Sequence, residues 1–142
     1  MKAQRVTSKF IDKMAFELEV NNHKFMIDAD EPVGGENRGP RPKSLMQAAL
    51  AGCTAMDVVS ILRKMRVEFD SFQTHVDADV TEEHPKHYNK MHVIYEFTGK
   101  DLEKNRKKIE KAVNLSEERY CGVSFSYKQT MEITNEIVLI EK

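Results

Sequence analysis

The decisive stretch of this 142-residue chain runs from Pro42 to Arg66 and reads PKSLMQAALAGCTAMDVVSILRKMR. Its apolar residues fall on nearly every side of a helix of about 25 residues, and its first half carries almost no charge. Pro42 suits the first turn of a helix, and Arg63, Lys64 and Arg66 suit the C-terminal end of the helix dipole. The pattern therefore predicts a long central helix that is buried on most of its sides.

Alternating apolar and polar residues on both sides of this helix indicate β-strands. The predicted strands before the helix are residues 6–10, 15–20 and 24–28, and those after it are 72–80, 91–97 and 131–140. Asn21-Asn22 suits a hairpin turn between the second and third strands. Residues 31–42 hold three of the four prolines and three of the six glycines, so they predict a loop.

A charged, amphipathic second helix is predicted between the last two strands. It should follow a capping box at residues 98–101, end near Tyr120, and bury one face. That face is marked by Leu102, Ile109, Val113 and Ser116. The predicted fold class is therefore α+β, with the order βββ-α-ββ-α-β in a single domain over residues 1–142.

Charge and composition narrow the class of protein. The chain has 22 Lys and Arg against 23 Asp and Glu, a net charge of -1, which argues against a nucleic-acid surface. No uninterrupted run approaches the roughly 20 apolar residues of a membrane span, and the first eight residues lack the apolar core of a secretion signal. A cytoplasmic protein without membrane or nucleic-acid partners is expected.

The two cysteines, Cys53 and Cys121, are the candidate reactive groups. They are too few for a disulfide scaffold and lack the spacing of a CxxC zinc ribbon. Two inert core thiols are one interpretation; an attacking and a resolving thiol are the other, if their Cα atoms approach to about 6 Å. Cys121 is expected to be exposed at the end of the second helix, which Gly122 would terminate. A thiol inside a helix needs a nearby cation to become reactive, and Arg38 and Arg41 precede that helix.

Two segments carry a resemblance to a known family. Residues 39–59, GPRPKSLMQAALAGCTAMDVV, and residues 116–124, SEERYCGVS, closely resemble the OsmC/Ohr family of thiol-dependent peroxidases. The predicted element order fits that family across nearly the whole chain. Within the family, the sequence is most similar to the short OsmC-like branch.

The resemblance implies a fold and a mechanism. Two chains would form intertwined sheets around paired central helices, with two active sites at the interface of the homodimer and no metal or organic cofactor. Cys53 matches the peroxidatic cysteine, which attacks an organic hydroperoxide and becomes a sulfenic acid. Cys121 matches the resolving cysteine, which closes a Cys53-Cys121 disulfide. A dithiol, such as a lipoylated protein, then reduces that disulfide.

One part of the family pattern is missing. The family's peroxidases carry a glutamate shortly after the proline that opens the central helix, and an arginine from an early loop. Lys43-Ser44 stand at the glutamate's place here, so Glu36, Arg38, Arg41 and Lys43 are the candidates for stabilising the Cys53 thiolate.

This departure favours an alternative function: a stress-associated or ligand-binding dimer of the same fold with little peroxidase activity. A structural domain with inert cysteines is a third possibility. His84 and His87 are interpreted as parts of a solvated turn rather than as metal ligands, because Pro85 interrupts any regular helix between them.

Overall fold

The structure is a computed structural model that describes residues 3–142. Met1 and Lys2, which belong to the segment expected to lack a secretion signal, lie outside the described residues. The chain divides into two compact units, unit 1 at Met1–Met46 and unit 2 at Gln47–Lys142. The expectation of one domain over residues 1–142 stays a prediction. The strands described in residues 3–142 form two three-stranded sheets, one in each unit.

Unit 1 contains an antiparallel sheet in which the second strand is central. Its strands are β1 (Thr7–Asp12), β2 (Ala15–Val20) and β3 (His23–Ile27). Asn21 and Asn22 both have positive φ, at 51° and 65°, as a two-residue type I′ hairpin requires. The predicted turn is therefore confirmed. The long loop after β3 contains one 3₁₀ turn, Glu31–Val33.

Unit 2 contains the second sheet and most of the helical residues. Helix α1 (Ser44–Lys64) begins in the last residues of unit 1 and continues into unit 2. Strands β4 (Ser71–Val80) and β5 (Tyr88–Gly99) pair antiparallel, whereas β6 (Glu132–Glu141) pairs parallel with β5, the central strand. Between β5 and β6 lie α2 (Arg106–Leu115), a π turn (Ser116–Tyr120) and α3 (Gly122–Lys128).

The core of unit 2 follows the predicted periodicities. Alternate residues of β5 are buried, and so is the face predicted for the second helix. These buried residues are Met91, Val93, Tyr95, Phe97, Leu102, Ile109, Val113 and Ser116. The α+β class is confirmed.

The boundaries of the second helix were predicted incorrectly. Thr98 and Gly99 belong to β5, so the capping box is absent, and α2 begins at Arg106 with no side-chain cap. Gly122 does not terminate a helix; it begins α3, and the residue before it is the N-cap. Short helices that begin directly after another helix lack the hydrophobic periodicity needed to recognise them.

The burial of α1 also differs from its prediction. Its buried residues Leu50, Thr54, Val58 and Leu62 form a single stripe with a spacing of four, and Met56 is 77% exposed. Among the described residues, α1 is long and apolar enough to cross a membrane by length and composition alone. The sequence prediction missed this because scattered polar residues interrupt the apolar run. Core helices of other proteins meet the same criterion.

Candidate active site

The fold of unit 2 brings Cys53 and Cys121 together. Cys53 lies in the middle of α1 and is partly exposed, whereas Cys121 precedes α3 and is buried. Both are free thiols, and their Sγ atoms lie within 4.8 Å of each other. Two cysteines separated widely in sequence thus form one pair of neighbouring sulfur atoms.

Cys121 occupies a more enclosed position than its sequence context suggests. It is 3% exposed, which corrects the expectation of an exposed thiol at a helix end: Cys121 is the N-cap of α3, which begins directly after it. Two causes raise the pKa of the Cys121 thiol to about 11: the larger is its burial, and the second is a hydrogen bond with Cys53. The N–H of Ser124 donates to Cys121 Sγ at 3.2 Å and partly opposes this shift. At neutral pH the Cys121 thiol is therefore protonated.

A carboxylate that the sequence analysis missed completes the cluster. Asp57 is four residues after Cys53 on α1, which places both side chains on the same face of the helix. A carboxylate oxygen of Asp57 lies within 4.8 Å of both sulfur atoms, and Ser116 Oγ donates to Asp57 Oδ2 at 3.0 Å. The four-residue spacing was the available sequence signal.

A buried polar network lies beside Cys121. Tyr95 OH donates to Glu117 Oε1 at 2.9 Å, and Asn135 Nδ2 donates to the other oxygen of the same carboxylate. Burial and the negative charge of Glu117 raise the pKa of Tyr95, and Cys121 adds to this shift. Glu117 lies in the π turn, a rare backbone form that often occurs at functional sites. No sequence pattern marks this residue as buried.

Among the predicted stabilising residues, Arg38 has carboxylate partners inside unit 1. Its guanidinium lies 2.5 Å from Asp12 Oδ1, 3.4 Å from Asp28 Oδ2 and 3.4 Å from Glu36 Oε1. Asp28 is 2% exposed. Burial opposes its ionisation, but the backbone N–H groups of Arg38, Glu36 and Ala29, with the Arg38 side chain, lower the pKa of Asp28 to about 2. Arg38 thus helps to fix the loop after β3.

The other three candidates also lie in unit 1. Arg41 Nε lies 2.7 Å from Asp30 Oδ1, and its two remaining nitrogens donate to Gly39 O and Asn37 Oδ1. Glu36 Oε2 is 3.0 Å from Lys13 Nζ, and Lys43 is exposed. A role for any of these residues at Cys53 stays a prediction.

The turn that contains the two histidines fits its predicted character. His87 Nδ1 lies 2.6 Å from Pro85 O, its backbone N–H donates to Thr81 Oγ1, and both His84 and His87 are exposed. Among the described residues, the His, Cys, Asp and Glu side chains grouped closely enough to hold a metal ion are Cys53, Asp57 and Cys121.

Comparison with known protein families identifies the family of this chain. The family model for OsmC-like proteins matches residues 34–136, which include both cysteines. The chain belongs to the OsmC-like family. The resemblance inferred from residues 39–59 and 116–124 is therefore confirmed.

Three similar proteins show how far the likeness extends. Protein YhfA of Escherichia coli is 28% identical over 128 residues, covering 89% of this chain and 91% of its own. A hypothetical protein from Aquifex aeolicus has a TM-score of 0.85 and 25% identity, covering 100% and 99% of the two chains. The organic hydroperoxide resistance protein OhrB of Bacillus subtilis has a TM-score of 0.64 and 18% identity, covering 96% and 98%. At that identity, the likeness to OhrB shows a common fold.

Proposed function

We propose that this OsmC-like chain is a thiol-dependent peroxidase that reduces organic hydroperoxides, and hydrogen peroxide more weakly, and so protects against oxidative stress. The observation that carries the proposal is the approach of Cys53 Sγ and Cys121 Sγ to within 4.8 Å on two helical elements. Membership of the OsmC-like family supports it, as does the likeness to a protein named for organic hydroperoxide resistance.

The different surroundings of the two thiols support different roles. Peroxide attack requires a thiolate that the substrate can reach. Cys53 is partly exposed, whereas Cys121 is buried and its raised pKa keeps it protonated. Cys53 is therefore the proposed attacking residue and Cys121 the proposed resolving residue.

Atoms and electrons balance over two steps. The Cys53 thiolate attacks the terminal peroxide oxygen, the O–O bond breaks, and the alkoxide takes a proton and leaves as the alcohol. Cys53 is oxidised to a sulfenic acid. Cys121 sulfur then attacks Cys53 sulfur, and the departing hydroxide combines with the Cys121 proton to form water. An external dithiol, such as a lipoylated protein, reduces the resulting disulfide and is itself oxidised to a disulfide.

The test is the mass and thiol count of the reduced protein after one equivalent of cumene hydroperoxide or, separately, hydrogen peroxide. We expect a loss of two hydrogens with a Cys53-Cys121 link, formed faster with the organic peroxide. Cys53→Ser should abolish peroxide consumption. Cys121→Ser should still react once and gain one oxygen atom. An unchanged mass with both peroxides would contradict the proposal.

A homodimer is proposed as the functional assembly. Helix α1 is apolar on most sides. In the single chain, however, only one stripe of its side chains is buried and Met56 is exposed. A second copy could cover the remaining apolar surface, as closed two-fold dimers commonly do. A monomer in sedimentation at micromolar concentration would contradict this assembly. A cytoplasmic location is proposed as well, because the proposed cycle returns its disulfide to two thiols, which a reducing compartment favours.

The alternative is a stress-associated or ligand-binding dimer with little peroxidase activity. Lys43-Ser44 at the family's glutamate position favour it, and so do the carboxylate partners of Arg38 in unit 1. Unit 1 also contains an apolar groove of about 590 Å³ lined by Met14, Phe16, Ile27 and Val33, with Arg41 and Lys43. Unreactive thiols together with retained dimerisation would support this alternative.

A further inference from the structure

We propose that Cys53, Cys121 and Asp57 form a zinc site when the two thiols are reduced. One oxygen and two sulfur ligand atoms lie within 4.8 Å of one another in unit 2. In a tetrahedral site with Zn–S bonds of about 2.3 Å, two sulfur ligands lie about 3.8 Å apart. The two sulfur atoms therefore have to approach each other by about 1 Å at most.

The chemistry of the donors favours zinc over other common divalent ions. Thiolate sulfur selects Zn²⁺, whereas Mg²⁺ and Ca²⁺ prefer sites made only of oxygen. Zinc bound by three protein ligands keeps a fourth position for water. Binding exchanges protons for the metal: two S–H bonds break, two Zn–S bonds form, and two protons are released.

The ligands stand on ordered elements and have neighbours that could orient them. Cys53 and Asp57 are four residues apart on α1, and Ser116 Oγ holds one oxygen of Asp57. The Ser124 N–H already donates to Cys121 Sγ. Such outer hydrogen bonds fix metal ligands in place and strengthen binding.

A buried hydroxyl belongs to a residue that contacts one of the proposed ligands. Ser124 is 0% exposed, and its Oγ has no hydrogen-bond partner among residues 3–142. A buried hydroxyl without a partner is rare in folded proteins. The N–H of the same residue donates to Cys121 Sγ, so Ser124 is a direct neighbour of one proposed ligand.

One of the three proposed ligands borders a surface pocket. Asp57 lines a pocket of about 430 Å³ together with Ser60, Ile61, Lys64, Leu115 and Tyr120. Asp57 is the proposed ligand that lines this pocket. Lys64, on the same pocket, adds a positive charge that disfavours the approach of a cation without blocking it.

Zinc binding and disulfide formation exclude each other because both use the same two sulfur atoms. Oxidation of the zinc-bound thiolates by a hydroperoxide would take up two protons from solvent and produce the disulfide, the alcohol and water, and it would release Zn²⁺. This redox-linked release rests on the proposed function. Binding itself rests only on the reduced thiols and Asp57.

The experiment uses Co²⁺ as a spectroscopic probe of the reduced, full-length protein. We expect an intense near-ultraviolet thiolate-to-cobalt absorption at a stoichiometry of one ion per chain, which Zn²⁺ abolishes by displacing the cobalt. Cys53→Ser and Cys121→Ser should each remove most of this absorption. Asp57→Asn should weaken Zn²⁺ binding, measured against a chelator, at least about 10-fold.

Two controls make the result specific. Asp77→Asn changes an exposed aspartate of β4 and should leave the affinity unchanged. Protein treated with N-ethylmaleimide should bind no cobalt through sulfur. Absence of the thiolate absorption in the reduced protein, or equal affinities of the wild type and Asp57→Asn, would overturn the proposed site.

The outcome is independent of peroxidase activity. If the protein binds cobalt through its thiols but does not react with peroxides, the zinc site is supported and the proposed peroxidase activity is contradicted. If peroxide forms the disulfide but the reduced protein shows no thiolate-to-cobalt absorption, the peroxidase activity is supported and the zinc site is contradicted. Release of Zn²⁺ in step with peroxide-driven thiol loss, followed with a zinc-sensitive dye, would support both.

Discussion

The two units of the chain contain similar strands but bury very different numbers of side chains. In unit 2, large residues such as Leu50, Tyr95 and Phe97 are fully buried. In the described part of unit 1, the buried residues are Ala15, Asp28 and Gly35, and every residue of β1 is exposed. Phe10 of β1 is 57% exposed.

This difference shows that strand formation and core formation have separate causes. Alternating residues and a type I′ turn suffice to define the hairpin of β2 and β3. They do not supply cover for its apolar side chains, and a unit of this size rarely builds a sufficient core. Hydrogen bonds to the buried Asp28 carboxylate stabilise the loop of unit 1, and the proposed second copy could cover its sheet.

The largest expected effect is on the core of unit 2. Leu50→Ala should lower the free energy of unfolding by about 2–5 kcal/mol, because it leaves a cavity under a side chain that is fully buried. Urea unfolding followed by circular dichroism measures this. A loss below about 1 kcal/mol would mean that unit 2 is no better packed than unit 1.

A smaller effect is expected for Phe10→Ala in unit 1. Because Phe10 is largely exposed in the single chain, its replacement should lower the free energy of unfolding by less than about 0.5 kcal/mol. If a second copy covers β1, we expect a larger loss that grows on dilution, because dissociation exposes the same surface. Unfolding at two protein concentrations measures it. A small loss that does not depend on concentration would remove unit 1 from the proposed dimer interface.

Acid should weaken unit 1 through Asp28. The pKa of this carboxyl is about 2 in the folded chain against an ordinary 3.8, so its ionised form stabilises the fold. That contribution is complete above about pH 4 and is lost as the pH falls towards about 2. The urea concentration at the midpoint of unfolding should therefore fall between pH 5 and pH 2. In Asp28→Asn, the part of this fall that comes from Asp28 should be absent. An identical pH profile in the variant would contradict the role of Asp28.

The smallest effect concerns thiol reactivity rather than stability. Because burial and the Cys53 hydrogen bond raise the pKa of Cys121 to about 11, its alkylation should stay slow at pH 8 and accelerate towards pH 11. Cys53 is partly exposed and should react first. Peptide mass spectrometry after timed iodoacetamide treatment distinguishes the two. Faster modification of Cys121 at pH 8 would reverse the proposed roles.

The sequence indicated some residues of the candidate site through motifs or spacing, but it gave no signal for others. Cys53 and Cys121 stood out as the two cysteines of motifs shared with a family, and their neighbouring sulfur atoms fit that interpretation. Asp57 could have been predicted from its four-residue spacing after Cys53. Glu117 could not, because its burial depends on a π turn whose hydrogen bonds no hydrophobic period describes.

Local sequence patterns specify the α+β class, the β2–β3 turn and the buried faces of β5 and α2. These depend on local periodicity and on backbone preferences, which neighbouring residues set. Local patterns do not specify the parallel pairing of β6 with β5, the short helix α3 or the burial of Cys121, which the folded structure shows. The folded structure also places two distant thiols beside Asp57. These features depend on contacts between residues far apart in the chain, and no local pattern specifies such contacts.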